Sequence, residues 1–417
     1  MLSSYLPVTI IGFFSITFFY VVLLWVNKKG EGISSLRGQT QGLPLRIILQ
    51  KFFIPIILLI LLFHFITAFA LGGEINDVRL FASAGYALIH KIDIYWVDQT
   101  HGTYPFLPFT IYPYALFWYL TTKLPFLTFS FFVKLLLIPI IFFTSCLIAK
   151  ILRQKGLAKY KSQMIQLGFL ANPIVFLTIT FHGQADILLI FFFIWSLYLS
   201  KKCFLSGFLM AFSVLTKTWS VIFLPLVILR IKSFRKIIIY LSAFFLAVLV
   251  FASLYKRLVF TSFTRMFSAA IMRPSGSAGY WGITAFLNVL GLQKASSFYS
   301  DSRLCFLGFG LLAGLAIFYK KKWDVFRGVL LFTLIIYVFT AGWGLQHSLW
   351  LIPFGLLNKK FKETAVYTLL TVPYLFLSYL VIAGGWENNT LNKIIVILGL
   401  FPWGYCCYWL RNLVVEK

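Results

Sequence analysis

Runs of roughly 20 apolar, uncharged residues recur along this chain, and a helix of that length crosses a hydrocarbon layer roughly 30 Å thick. They fall near 5–27, 52–72, 128–149, 163–181, 187–200, 203–217, 218–230, 237–255, 302–319, 324–341, 346–357, 364–383 and 390–410. In lipid only helices and closed barrels satisfy every backbone N–H and C=O. Barrel strands alternate apolar and polar residues, and these runs do not. Composition agrees: of 417 residues, 60% are hydrophobic and 12% charged, against about 25% charged in soluble domains. A soluble enzyme, a disordered chain and a disulfide scaffold are excluded. The sequence predicts an all-α, polytopic helical membrane protein with about 11–13 transmembrane helices, built as one integral-membrane domain over 1–417.

Two further apolar segments, 106–122 and 281–292, are short or broken by proline. Pro105, Pro108 and Pro113 predict a re-entrant or interfacial helix for the first. The start MLSSYLPVT lacks a basic n-region and a small-residue cleavage site, so the first run is expected to be a retained helix and not a signal peptide. Cys146, Cys203, Cys305, Cys406 and Cys407 lie in or beside apolar runs without metal-ligand spacing, and no disulfide role is expected of them. No short internal repeat and no low-complexity tract is visible.

The net charge of +26 could suggest nucleic acid. Its distribution points instead to the positive-inside rule, and no nucleic-acid partner is expected. Loops 28–51, 150–161, 201–202, 230–236, 320–327, 358–363 and 411–417 hold 25 of the 37 cationic and 4 of the 11 acidic residues. Placed in the cytoplasm, they let the spans alternate consistently if 106–122 does not fully cross. The other side then receives the loop 73–105, the turn His182–Asp186 and the Arg-bearing region 256–301. The localisation expected is an integral, multi-pass membrane protein with its site on the non-cytoplasmic face. That membrane would be the plasma membrane in a prokaryote and the endoplasmic reticulum in a eukaryote.

Chemistry-bearing residues gather in those outer segments. Glu74, Asp77, Asp93 and Asp98 are four of the seven acids outside the basic loops. Glu74 and Asp77 are spaced i,i+3, so a helix starting here would put both on one face. A partly desolvated carboxylate there can act as a general base. Asn76 or Asp77 could equally cap an amphipathic helix over VRLFASAGYALI. His182, Gln184 and Asp186 sit at a tight turn between two apolar runs. An ionisable group there is a functional candidate by default, or Asp186 or Gln184 caps the following helix. Lys217, between two short apolar runs, could neutralise a phosphate or snorkel to the interface. Gln346 and His347 begin another run, and His347 could bind a phosphate or sugar hydroxyl, or cap its helix. Arg257, Arg265 and Arg273, with Lys256, form a basic rim that could hold an anion or simply be solvated. His64, mid-run, reads as a satisfied core histidine.

Four segments in order resemble the polytopic glycosyltransferases of the GT-C fold, the polyprenyl-phosphate-sugar-dependent mannosyltransferases and their bacterial relatives. NDVRLFASAGYALIHKIDIYWVDQ, followed by TYPFLPFTIYP, is similar to the family's Asp, amphipathic helix, Gly-Asp-Pro-Tyr-like turn and Tyr-Pro-Pro element. Here Ile94 stands where the turn has proline, and Pro105 alone follows Tyr104. NPIVFLTITFHGQADILL resembles the Asn-Pro … Gly-Gln-x-Asp signature. LSGFLMAFSVLTKTWSVIFLPLVIL resembles a Gly … Leu-Thr-Lys-Pro … Leu-Pro segment, with Thr218 in place of proline. LQHSLWLIPF resembles Gln-Tyr-x-x-Trp-x-x-Pro-Phe, with His347 in place of Tyr. The likeness covers roughly 52–360.

The resemblance implies a GT-C-like membrane domain whose first outer loop, 73–105, carries short amphipathic helices and the catalytic residue. It implies inverting transfer of a hexose, mannose favoured, from a polyprenyl-phosphate donor to a lipid or glycan acceptor. Asp77 would be the general base. Lys217, His347 and the Arg257, Arg265 and Arg273 group would face the donor's phosphate, with Glu74, His182, Gln184, Asp186 and Gln346 binding substrate. Some members use a divalent cation. Mg or Mn therefore stays open as a cofactor, with Glu74 and Asp77 as its ligands. Membrane lipids are the remaining partner. A lipid-linked-saccharide flippase or other transporter would also need the spans, the basic rim and the buried polar groups. Transporters often carry inverted repeats, and none is visible here. An O-antigen-type polymerase or ligase likewise handles polyprenyl-linked sugars.

Overall fold

A computed structural model of the chain describes residues 13–17, 20–21, 43–70, 76–96, 104–272, 277–278, 280–384 and 388–416. Glu74, Asp98, Arg273 and most of the expected first span, 5–27, lie outside the described residues, although 13–17 is helical. Among the described residues, seven helical stretches are long and apolar enough to cross a membrane: Lys51–Ala70, Phe129–Gln154, Lys159–Phe181, Phe234–Val259, Arg303–Lys321, Phe361–Ile382 and Asn389–Val415. The chain is an integral membrane protein of the all-α, polytopic class.

The elements follow one another as α1 (Leu43–Ala70), α2 (Asn76–Ile89), α3 (Ile111–Lys123), α4 (Phe129–Gln154), α5 (Lys159–Leu170), α6 (Asp186–Tyr198), α7 (Cys203–Thr216), α8 (Leu224–Ile228) and α9 (Phe234–Val259). Next come α10 (Phe263–Met272), α11 (Gly282–Val289), α12 (Gln293–Asp301), α13 (Arg303–Lys321), α14 (Val325–Phe339), α15 (Leu351–Leu357), α16 (Phe361–Gly384) and α17 (Asn389–Val415). One two-residue antiparallel pairing joins β1 (Ser277–Ala278) to β2 (Gly342–Trp343).

Among the described residues, four of the basic loops share one end of the bundle. Lys155 pairs with Asp324 at 3.0 Å, Arg327 with Glu416 at 2.9 Å and Lys360 with Glu416 at 2.8 Å. Lys359 Nζ donates to the Lys155 carbonyl at 2.8 Å, and Lys321 Nζ donates to the Val414 carbonyl. Four loops that the sequence placed on one side are thus in contact.

The segment 106–122 holds a single short helix, the 13-residue α3. After a 3-10 turn, Pro108–Thr110, α3 folds back along α2 as a hairpin. The two helices touch closely because Gly85 has no side chain: a Cβ there would lie 2.3 Å from the Tyr114 carbonyl oxygen. Phe81 stacks on Tyr114 with ring centroids 4.8 Å apart. Phe109 wedges among Phe212 and Phe251 at 4.8 and 5.2 Å, and Tyr112 OH donates to the Phe251 carbonyl at 3.0 Å. The hairpin is therefore bolted to α7 and α9. Those two helices meet through Gly207, where a Cβ would lie 2.1 Å from the Tyr240 carbonyl oxygen. The expected short segment 281–292 is the eight-residue α11 and its turn, too short to cross.

Helices α6, α7 and α14 have 13, 14 and 15 residues. At 1.5 Å per residue they reach about 20 Å, short of a layer roughly 30 Å thick. As helices, these stretches that the sequence reads as full spans are therefore shorter than such a layer. At the ends away from the basic loops, His182–Asp186, Lys217 and Leu345–Leu349 form a largely buried polar layer.

Candidate functional site

Asn172 and Pro173 lead into the polar turn His182–Asp186. Asn172 caps a single α turn, Pro173–Val175: its Oδ1 accepts the Ile174 N–H at 2.9 Å and its Nδ2 donates to Thr368 Oγ1 at 3.1 Å. The backbone then widens into a π-turn, Phe176–Phe181, a form that concentrates at functional sites. His64 supports this turn from α1. Its Nε2 donates to the Leu170 carbonyl at 3.0 Å and its Nδ1 accepts from the Thr180 hydroxyl. His64 is a satisfied core histidine, as the sequence reading has it. Gly183 follows at φ +81°, a left-handed conformation suited to glycine. A Cβ there would meet Val78 Cγ2 at 3.2 Å and Lys134 Cε at 3.6 Å.

This turn meets the first helix of the 73–105 segment. Asp77 lies in the first turn of α2, where the helix dipole favours a carboxylate. Gln184 Nε2 donates to Asp77 Oδ2, and His182 Nε2 approaches the same oxygen at 3.4 Å. On its other side His182 Nδ1 pairs with the Tyr379 hydroxyl of α16 at 3.0 Å. With the tyrosine donating, the imidazole proton sits on Nε2 and points at Asp77. The carboxyl keeps 42% exposure. The surrounding protein pushes its pKa upward, but His182, Lys217 and Gln184 outweigh that and hold it down at about 2. Asp77 is therefore an anion at neutral pH.

Asp186 and Lys217 lie behind this face. Asp186 opens α6 but caps nothing: the residue at the cap is Ala185, without a side-chain bond. Its Oδ2 is 2.5 Å from Lys217 Nζ and its Oδ1 accepts from Trp350 Nε1 at 2.8 Å. Lys217 also donates to Gln184 Oε1 at 3.2 Å and lies 5.2 Å above the Phe106 ring. Lys217 is buried and does not snorkel. Gln184 thus bridges the two carboxylates' environments, with its amide nitrogen on Asp77 and its oxygen on Lys217.

His347 is buried on the 3-10 turn Leu345–Leu349. Its Nδ1 accepts the Gly344 N–H at 3.3 Å, and Tyr337 OH donates to its carbonyl oxygen. The helix-capping role applies, and the imidazole packs against the Trp219 and Trp350 rings, with each centroid 5.5 Å away. Gln346 folds over Gly344, where a Cβ would lie 2.7 Å from its Nε2. It makes no described contact with the Asp77 cluster.

The arginine rim is not one group. Arg265 Nη1 donates to Asp93 Oδ2 at 3.0 Å, and its guanidinium stacks 4.1 Å from the Trp96 ring. Asp93 also takes Thr261 Oγ1 at 2.5 Å and the Tyr95 N–H at 3.0 Å. Arg265 and Asp93 thus tie the 91–96 turn to α10. Arg257 is exposed at the end of α9. No described contact brings either arginine to Asp77.

Three residues of the site are absent from the sequence reading. Lys134, fully buried in α4, flanks Gly183. A lone lysine inside the run 128–149 could have announced it, because intramembrane charges are costly and mark function. Trp350 and Tyr379 give no such signal, since aromatic residues are common throughout this chain.

Among the described residues no three His, Cys, Asp or Glu side chains gather to hold a metal ion. Asp186 spends both oxygens on Lys217 and Trp350, and one oxygen of Asp77 is taken by Gln184. Glu74, the other expected ligand, lies outside the described residues, and the described carboxylates alone do not make a divalent-cation site. No protein-family model matches the chain, and no curated protein matches it either.

Proposed function

We propose that this protein is a membrane glycosyltransferase that moves a hexose from a polyprenyl-phosphate donor to a hydroxyl of a lipid or glycan acceptor, with inversion. The observation that carries this reading is the convergence on Asp77. His182, Gln184, Asp186, Lys217 and His347 come from segments up to 270 positions away in sequence and lie together in one polar cluster. Mannose is the favoured hexose on the resemblance alone.

In this reading Asp77 Oδ2 is held by Gln184 and His182, and Oδ1 has no partner among the described residues. An acceptor hydroxyl donating to Oδ1 is aligned to attack the anomeric carbon. The new C–O bond forms as the bond to the donor's phosphate breaks. The hydroxyl proton passes to Asp77, and polyprenyl phosphate leaves with the negative charge. Positioned proton transfer of this kind is worth about 10²–10⁴-fold in rate. Lys217 is matched by Asp186, so the pair contributes a fixed dipole rather than a free cation. Lys134 packs beside Gly183 on the same turn.

A transporter of lipid-linked saccharides would use the same buried polar cluster, but it needs no general base. The test is a lipid extract from a strain deleted for this protein, compared with the strain complemented by wild type or by Asp77→Asn. The proposal expects one glycolipid or polymer to lose a sugar on deletion and regain it with wild type only. Restoration by Asp77→Asn, or no missing sugar, would refute it.

A further inference from the structure

At the basic end, most described cations with a defined environment have an internal partner. Lys155 pairs with Asp324, Arg327 and Lys360 with Glu416, and Lys321 and Lys359 with backbone carbonyls. A cleft of about 260 Å³ on the same end is different. Arg230, Lys320 and Lys322 line it together with Leu229, Phe318 and Tyr319. Among the described residues no carboxylate lies within ion-pair distance of these three cations. The cleft has roughly nine times a water molecule's ~30 Å³ share of liquid volume, room for an anion with part of its hydration.

We infer that this cleft binds a phosphate group, that of an anionic phospholipid headgroup in the adjacent leaflet. The geometry supports a built site. Phe318 is buried and forms a floor, and the Arg230 guanidinium lies over its ring at 4.7 Å. Stacking fixes the plane of the guanidinium and leaves its N–H edge to meet two phosphate oxygens, which a mobile lysine cannot do. Lys320 and Lys322 come from the end of α13, Arg230 from the chain just after α8. The negative end of the α13 dipole accounts for lysines on that helix. It does not account for an arginine brought against the same ring by a separate element.

Exposure indicates the source of the phosphate. Tyr319 is 73% exposed and Leu229 47% exposed at the cleft's edge. An apolar margin beside three cations suits a headgroup whose acyl chains run along the protein, and it offers little to free phosphate. Basic pockets between transmembrane helices on the positive side hold anionic headgroups by this combination.

The test is native mass spectrometry of the purified full chain, titrated with dioleoyl phosphatidylglycerol or dioleoyl phosphatidylcholine. Arg230→Gln/Lys320→Gln removes two cleft cations, and Lys201→Gln/Lys202→Gln removes two exposed cations from another basic loop. The inference expects wild type to prefer phosphatidylglycerol. It expects the cleft variant to bind that lipid on the order of tenfold more weakly, and the loop variant to bind as wild type does. Unfolding temperatures without lipid should agree among all three, since the replaced side chains are exposed. Equal binding of the two lipids, or equal weakening by both variants, would overturn the site. Displacement of phosphatidylglycerol by millimolar inorganic phosphate would overturn the lipid as its source.

Discussion

Lys217 Nζ and Asp186 Oδ2 lie 2.5 Å apart where neither side chain is more than 3% exposed. Two opposite charges so buried stabilise each other, and removing one leaves the other without its partner. Lys217→Met therefore strands the Asp186 carboxylate beside Trp350. Breaking such a pair on one side costs about 3–5 kcal/mol. Thermal unfolding in detergent should show a marked drop for Lys217→Met and recovery in Lys217→Met/Asp186→Leu. A single variant as stable as wild type would mean that the pair does not form.

Asp77 carries a pH prediction. Burial raises its pKa, but His182, Lys217 and Gln184 bring it down to about 2, below the ordinary 3.8. A depressed carboxyl contributes stability above its unfolded pKa and loses it as pH falls through the folded value. Transfer should thus show no Asp77-dependent change between about pH 5 and 8, where the group stays ionised. Replacing His182 by Ala removes the largest lowering influence. The acid limb of kcat/KM should then move to higher pH. Tyr379→Phe, which frees the His182 ring from its orienting hydroxyl, should move it the same way by less. An unchanged acid limb in His182→Ala would separate His182 from Asp77.

The contact of Gly207 with the Tyr240 carbonyl leaves no room for a methyl group. Gly207→Val should cost more than the ~1–3 kcal/mol of ordinary overpacking, because backbone must move. The yield of monodisperse protein on size exclusion measures it. Normal yield and melting would show that α7 and α9 can part without penalty.

The arrangement of ends is open to labelling. Lys201 is exposed beside the basic loops and His90 is exposed at the end of the α2–α3 hairpin. Single cysteines at these positions, with the five native cysteines replaced, should react with an impermeant maleimide from opposite sides in intact cells. The positive-inside rule assigns His90 to the outer side. Reaction of both from one side would contradict the two-ended bundle.

Hydropathy made the long spans legible, because about 20 apolar residues have few other uses. Charge made the shared basic end legible, down to loops that touch through Lys155–Asp324 and Lys360–Glu416. The shortness of some helices was not legible, because α6 and α7 are as apolar as their longer neighbours. Only their length and the residues at their ends, Asp186 and Lys217, distinguish them. The polar turn His182–Asp186 was legible because charge is rare in this chain. Its pairing was not: Lys217 lies 31 positions from Asp186, and nothing local says that they meet. The arginines misled for the opposite reason. Arg265 looks like a phosphate ligand until Asp93, 172 positions away, is seen to hold it.

The central claim is that Asp77 removes a proton. Asp77→Asn keeps the shape and the contact with Gln184 but cannot accept that proton. The direct measurement is sugar transfer from a synthetic polyprenyl-phosphate hexose by purified protein in nanodiscs, with unfolding temperature recorded in parallel. The account predicts a fall of about 10²–10⁴-fold with an unfolding temperature close to wild type. Asparagine caps a helix about as well as aspartate, so a merely structural role predicts retained activity. Turnover near the wild-type rate would contradict the account and remove Asp77 from the chemistry.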